Sequence, residues 1–269
     1  MALRGEFFTM DALNGRQAEI MTLARQTGRV EVDGLAQQFE VTPQTIRKDI
    51  NALCDGGLLE RMHGGAMLPS GVVNFAYEAR RQLAAEGKRL IGEAAAALIP
   101  EQSSLILNIG TTTEQVALAL RRHAGLMVVT NNLNVANILR AVPDAEVVIA
   151  GGIVRHADGG VVGEAAVDFI RQFRVDHAVI GASAIDGDGT LLDYDYREVK
   201  VAQAILDSAR QRVLVVDAMK FSRTAPVRIG HLEQIDVLVT DHTPPPHIAE
   251  ICAAHGVRVV IAAQQRPAT

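Results

Sequence analysis

The sequence predicts an α/β chain with two unlike parts: an N-terminal winged helix-turn-helix over residues 13–68 and a mainly parallel α/β domain over residues 87–262, with a linker at 69–86. Two observations carry this. Between residues 16 and 68, short amphipathic helical patterns are joined by a tight turn and followed by a glycine-bearing hairpin pattern. From residue 104 onward, short continuous apolar runs alternate with helical segments, the texture of a sheet covered on both faces. A chain of 269 residues has the length for one or two substantial cores.

The elements follow in order. "RQAEIMTLARQTG" places Ile20, Leu23 and Ala24 on one helical face and ends on Gly28, a suitable C-cap. After a short "VEV", Asp33 is expected to cap a second helix that turns Leu35, Ala36 and Phe39 inward. The turn "EVT" leads into "VTPQTIRKDI", where Thr42 caps and Pro43 takes the first helical position. Ile46, Ile50 and Leu53 then share one stripe, while Gln44, Arg47, Lys48 and Asn51 gather opposite. Such a helix suits a DNA groove, and an ordinary solvent-facing helix looks the same. Context favours the groove, because the second helix of a helix-turn-helix normally enters it. "LLERMHGGAML" reads as a hairpin with Gly64 and Gly65 at its tip, which brings Arg61 and His63 within reach of phosphate.

Charge gives no easy argument for nucleic acid. The net charge is −5, and within residues 42–66 Arg47, Lys48 and Arg61 are balanced by Asp49, Asp55 and Glu60. Any DNA contact must come from local placement, with a correspondingly modest salt dependence. No apolar run approaches the roughly 20 residues of a membrane span. "MALRGEFFTM" lacks the features of a secretory signal, so the expected location is the cytoplasm. Cys54 and Cys252, the only cysteines, suggest neither a disulfide framework nor a metal site, and the eight histidines show no metal spacing.

"PSGVV" reads as linker and residues 75–98 as a connecting helical stretch. The apolar runs "SLILNI", "LMVVT", "EVVIA", "HAVIGAS", "RVLVVD", "VLVT" and "VRVVIA" are the expected strands. In such sheets, ligands bind beyond the carboxyl ends of the strands. In "SLILNIGTTTEQVALAL" a strand ends at Ile109, Gly110 turns, and Thr111, Thr112 and Thr113 open a helix. That arrangement suits a phosphate, since the first N–H groups of a helix lack partners and its dipole favours negative charge; simple threonine capping explains it equally. Neither a Walker lysine nor GxGxxG is present, so nucleotide binding is not indicated.

At the following strand ends, Asn131 and Asn132 are placed to cap a helix or to bond a polyol. Gly151 and Gly152 permit close backbone approach, and Arg155 offers a fork for phosphate or carboxylate. "IDGDGTLLDYDYREVK" gathers Asp193, Asp195, Glu198 and Lys200 at a helix start, which fits sugar hydroxyls, proton transfer in an isomerase, or plain capping. "VVDAMKF" ends a strand near Asp217, with Lys220 three residues on as a point charge for an anion.

"VTPQTIRKDINAL" followed by "RMHGGA" resembles the winged helix-turn-helix of the DeoR family of bacterial transcriptional regulators. "IGTTT", "TNNLNVA", "AGG", "DYDYREVK" and "DAMKF" resemble, in order, that family's sugar-phosphate sensor domain. The resemblance covers about residues 13–260. It implies a repressor without cofactor, metal or enzymatic activity. Such a repressor is a homo-oligomer, dimer or tetramer, that holds double-stranded operator DNA and releases it on binding glycerol 3-phosphate or a related sugar phosphate. It implies a sensor fold shared with ribose-5-phosphate isomerases and coenzyme A transferases. It assigns Gln44, Thr45, Arg47 and Lys48 to DNA, and Gly110, Thr111, Thr112, Thr113, Glu198, Lys200, Asp217 and Lys220 to the effector, with Asn131, Gly151 and Gly152 beside them. Two departures stand out. Residues 1–12 precede the family's usual start, which makes Met10 a second candidate initiator, and Thr42 stands where relatives often carry serine.

Overall fold

The structure, a computed structural model, describes residues 13–262 apart from Gly28, Gly57, His63 and residues 68–76. The chain divides into two compact units between Gln82 and Leu83.

In the first unit, α1 (Gly15–Thr27), β1 (Arg29–Glu31), α2 (Val32–Gln38), α3 (Pro43–Asp55), β2 (Glu60–Met62) and β3 (Gly65–Met67) enclose one core. Ile20 and Ala24 from α1, Leu35 from α2, and Ile46, Ile50 and Leu53 from α3 are buried there, while Leu23 and Phe39 are partly buried at its edge. The α3 stripe is the one that helical spacing requires. Thr42 caps α3, its Oγ1 accepting the Thr45 N–H at 3.3 Å.

Three details differ from expectation. Asp33 lies inside the first turn of α2 instead of capping it, because α2 starts two residues earlier than such a cap requires, at Val32, and Glu31 occupies the cap position without a side-chain bond. The segment before α2 is a strand: β1 pairs with β3 and β3 with β2, all antiparallel, so the wing is a three-stranded sheet. Gly65 belongs to β3 opposite Glu31, and a side chain there would collide with the Val30 carbonyl. The Gly28 cap and His63 lie outside the described residues.

α4 (Tyr77–Gln82) closes the first unit and α5 (Ala85–Ala96) opens the second. There follow β4 (Ser104–Leu107), α6 (Thr111–Leu120), β5 (Met127–Thr130), α7 (Leu133–Leu139), β6 (Glu146–Ile149), the short strands β7 (Ile153–Val154) and β8 (Val161–Val162), α8 (Glu164–Ile170) and β9 (Val175–Ile180). β10 (Ala184–Ile185), β11 (Thr190–Asp193), α9 (Tyr196–Asp207), β12 (Ala209–Val215), β13 (Val227–His231), β14 (Val237–Thr240), α10 (Pro246–Ala254) and β15 (Arg258–Ile261) complete it.

Seven strands form one sheet in the order β15-β14-β12-β9-β4-β5-β6, and every pairing is parallel. These are the seven apolar runs. Burial on both faces explains their unbroken hydrophobicity, since one cluster gathers around Ile106, Ala178 and Leu214 and the other around Leu105, Val179 and Val213. Strand order reverses direction between β4 and β9, the kind of crevice at which open α/β sheets bind ligands. Among the described residues, no helix is long and apolar enough to cross a membrane.

Candidate functional site

In the first unit the polar face of α3 is intact. Thr42, Gln44, Arg47, Lys48 and Asn51 are exposed and Thr45 is half-buried. The Thr42 and Thr45 hydroxyls share a 2.9 Å hydrogen bond at the amino end of the helix. Arg61 lies in β2 opposite Ala66, and its Nη2 meets Asp55 Oδ1 at 2.8 Å. Both groups of that pair are well exposed, so it leaves the guanidinium available to a phosphate. Asp49 was not singled out from sequence, although it sits three residues from Ile46 on the buried side. Its carboxylate accepts Arg16 Nε at 2.6 Å and Gln17 Nε2 at 3.1 Å. This carboxylate pins the amino end of α1 to the middle of α3 and so fixes how the polar face is presented.

In the second unit the carboxyl ends of the central strands carry most of the remaining site residues. Beyond β4, the Asn108 N–H donates to the Val179 carbonyl across to β9 at 3.0 Å. Gly110 then takes the N-cap position of α6 at φ 140°, where a side chain is strained, and supplies no side-chain cap. Thr111, Thr112 and Thr113 are all buried in the first turn, so they do not cap the helix from outside as the simpler reading expects. Thr113 Oγ1 donates back to the Gly110 carbonyl at 2.7 Å.

Beyond β5, Asn131 is fully buried; its Nδ2 donates to the Val161 carbonyl at 3.1 Å and its Oδ1 is buried without a hydrogen-bond partner. Asn132 caps α7, accepting the Asn134 N–H at 2.8 Å. Beyond β6, Gly151 has open space around it, whereas a Cβ on Gly152 would lie 2.9 Å from the Val162 carbonyl.

The β7–β8 hairpin folds back over these ends. Val161 N–H donates to the Asn131 carbonyl at 2.7 Å, and a Cβ on Gly160 would lie 3.0 Å from the Ile109 side chain. The hairpin carries Arg155 to the start of α9. Its guanidinium engages Asp158 through Nε at 2.8 Å and Nη2 at 2.5 Å, and Glu198 through Nη1 at 2.6 Å. Asp195, which caps α9, is 3.5 Å from the same Nη1. Burial opposes the Arg155 charge, but its bonds to Asp158 and Glu198 outweigh this and hold it firmly protonated. Asp195 is held below the usual carboxylate range, first by its bond to Arg197.

The assembly is therefore selective. Gly110 to Thr113, Asn131, Arg155 and Glu198 are drawn together by adjacent strands and the folded-back hairpin. Asp217 caps a 3-10 turn (Ala218–Ser222) beyond β12, accepting the Met219 N–H at 3.2 Å, and Lys220 is half-buried in that turn. Four strand intervals separate β12 from β6, roughly 19 Å between the strand axes, so Asp217 and the Gly151–Gly152 pair follow strands well separated in the sheet. Lys200 is exposed on α9, two residues and so about 200° of helical turn from buried Glu198. Missed from sequence were Asp158, the second carboxylate of the Arg155 fork, and Glu114, whose Oε1 accepts from Asn132 Nδ2 at 3.3 Å and Asn134 Nδ2 at 3.0 Å. Among the described residues no group of three or more His, Cys, Asp or Glu side chains could hold a metal ion.

Known families match both units. The profile of the DeoR-like helix-turn-helix domain covers residues 16–72, and that of the DeoR C terminal sensor domain covers residues 83–242. The chain belongs to the DeoR family. Within this DeoR regulator, the helix-turn-helix match takes in α1 to β3 and the sensor match takes in the strand ends from β4 to β14.

Among curated relatives, it is 44% identical over 91% of its length to the glycerol-3-phosphate regulon repressor of Escherichia coli K12, covering 97% of that protein. It is 47% identical over 85% of its length to the same-named repressor of Haemophilus influenzae, covering 89% of it. It is 40% identical over 86% of its length to the transcriptional repressor CsqR of Escherichia coli K12, covering 89% of that chain. Among solved structures, the translation initiation factor eIF-2B of Pyrococcus horikoshii OT3 aligns at 16% identity over 84% of this chain and 95% of that one, with a TM-score of 0.46.

Proposed function

We propose that this DeoR regulator represses genes of glycerol and glycerol 3-phosphate metabolism, holding operator DNA until glycerol 3-phosphate binds its sensor domain. The observation that carries the reading is identity of 44–47% along most of the chain to repressors named for the glycerol-3-phosphate regulon. The geometry is consistent with it. A DNA-binding domain at 13–68 and an effector-binding domain at 87–262, joined by 69–86, divide the labour.

Gln44, Thr45, Arg47 and Lys48 face the major groove, where planar and bidentate side chains distinguish base pairs, while Arg61 and His63 reach the phosphates. In the sensor, Gly110 to Thr113 offer helix-end N–H groups to the phosphate, and Glu198 with Asn131 addresses the hydroxyls. Lys200, Asp217 and Lys220 stand further round the strand ends, as do Gly151 and Gly152. The protein works in the cytoplasm as a homo-oligomer, at least a dimer, because two recognition helices one DNA turn apart read a two-fold operator. Effector and DNA are coupled only if the effector binds the free and DNA-bound states unequally.

The test is fluorescence anisotropy of labelled operator DNA titrated with the full-length protein. Added glycerol 3-phosphate is expected to release the DNA, and an unchanged anisotropy at saturating ligand refutes the reading. A sugar-phosphate isomerase is the competing reading. Against it, both carboxylates that could act as base are engaged, Glu198 by Arg155 at 2.6 Å and Asp195 by Arg197 at 2.9 Å. Turnover of ribose 5-phosphate or a triose phosphate would reverse that judgement.

A further inference from the structure

Of the cations near the strand ends, Arg155 is engaged by carboxylates, Lys200 faces outward and Lys220 is half-buried in the turn beyond β12. A fourth cation lies nearby that neither the motifs nor the relatives' names single out. Lys88, in the first turn of α5, is only 4% exposed and shares a buried stripe with Ile91, Gly92 and Ala95. Lysine is almost never buried unless its ammonium meets polar or opposite charge.

Helix register locates it. The amino end of α5 lies at the carboxyl end of the sheet, since a side chain on Gly87 would run into the Asp241 carboxylate just past β14. Asp241 Oδ1 in turn accepts the Ala218 N–H at 2.8 Å, which ties in the turn after Asp217. The other end of α5 leads down to the start of β4, and α6 also descends from that face, so the two helices run parallel. They approach closely at one point: a Cβ on Gly92 would lie 2.6 Å from the carbonyl carbon of Gln115. Four residues back from Gly92 is Lys88, and four back from Gln115 is Thr111, about 6 Å along each axis from the contact. Lys88 therefore faces α6 at the level of its first residue. Its side chain leans toward the amino end of its own helix, as every helical Cβ does, and so toward the open N–H groups of Thr111 to Thr113.

We propose that Lys88 is the buried cation of the effector's phosphate subsite, contacting the phosphate from α5 while the first turn of α6 cradles it. The ammonium already has a polar partner within the chain, so the phosphate joins or displaces that partner. A point charge beside helix-end donors selects a phosphate dianion over an uncharged polyol, which gives Lys88 a role in specificity as well as affinity. The inference rests on the reading of the sensor as a phosphate-binding site.

The test is isothermal titration of the full-length protein with glycerol 3-phosphate, inorganic phosphate and glycerol. K88M is expected to weaken glycerol 3-phosphate about ten- to a hundredfold, the scale of a lost charge-assisted contact, while K88R retains most of the affinity. Operator binding without effector should stay within twofold of the unsubstituted protein. K88M binding within threefold of the unsubstituted protein overturns the proposal. If the unsubstituted protein ignores glycerol 3-phosphate but binds inorganic phosphate in a Lys88-dependent way, the effector identity fails and the lysine's role stands; binding of neither ligand overturns both. Should K88M fail to fold, acetylation of the unsubstituted chain followed by mass spectrometry decides. Phosphate is expected to slow labelling of Lys88 severalfold and glycerol to leave it unchanged, and equal labelling in all three conditions refutes the assignment.

Discussion

Replacing Arg155 by alanine tests the reasoning about the hairpin most directly. Arg155 is 16% exposed at its side chain, and the carboxylates it engages are 7% exposed at Asp158 and 10% at Glu198. Removing one partner of a buried ion pair costs about 3–5 kcal/mol because the other charge is stranded. Here the hairpin can shift to admit water, so the lower end, about 3 kcal/mol, is the expected loss. For a domain of this size each kcal/mol moves the melting temperature by roughly 2–4 °C, which predicts a fall of about 6–12 °C. The triple variant R155A/D158N/E198Q removes the stranded charges and should recover at least half of that fall. Differential scanning calorimetry of the sensor transition measures both. Hydrogen exchange should rise in residues 153–162, where the hairpin is held across the strand ends. A melting temperature unchanged in R155A, or a triple variant no better than the single, would refute the claim that charge pairing holds the hairpin down.

Other consequences can be measured on the same protein. T42A removes the cap on α3 and should cost the N-terminal domain about 1 kcal/mol by urea unfolding, whereas T42S should be nearly neutral. R47A should abolish discrimination between operator and random DNA in anisotropy titrations while the effector-induced rise in melting temperature persists; loss of both would indicate misfolding. Burial holds the His177 imidazole below its ordinary range, against opposing effects of Asp176 and Gln211. Below about pH 6.5 the unfolded chain then takes up a proton that the folded chain does not, so stability should rise with pH up to that value and flatten above it. H177Q should remove that slope, and an unaltered slope would assign it to another group.

The fold was legible because its period was. Seven unbroken apolar runs became the seven parallel strands, and the i, i+4, i+7 spacing of Ile46, Ile50 and Leu53 gave the buried face of α3 directly. The short wing was less so. A three-residue strand such as β1 has no room to show alternation, and it is defined by its pairing with β3, more than thirty residues away in sequence. The start of α2 was misplaced by the same limit, since Asp33 has the chemistry of a cap but only the backbone decides which residue occupies the cap position.

The site was legible as residue types and illegible as partnerships. Glycine and threonine after a strand announce an open helix end, and that reading placed Gly110 to Thr113 together. What Arg155 does could not be read locally, because Glu198 lies 43 residues further along the chain and meets it only when the hairpin folds back. Arg155 reads in the sequence as a fork for phosphate or carboxylate, and the fold supplies the second: it clasps the carboxylates of Asp158 and Glu198. Another limit hid Asp49 and Lys88: each interrupts an apolar helical stripe, and a stripe-based reading assigns such residues to the solvent side by default. Both are buried, Asp49 against Arg16 and Gln17, Lys88 beside α6. A charge at a stripe position costs free energy unless something polar meets it there, so in this chain the interruptions of the hydrophobic pattern mark buried polar contacts that a stripe-based reading passes over.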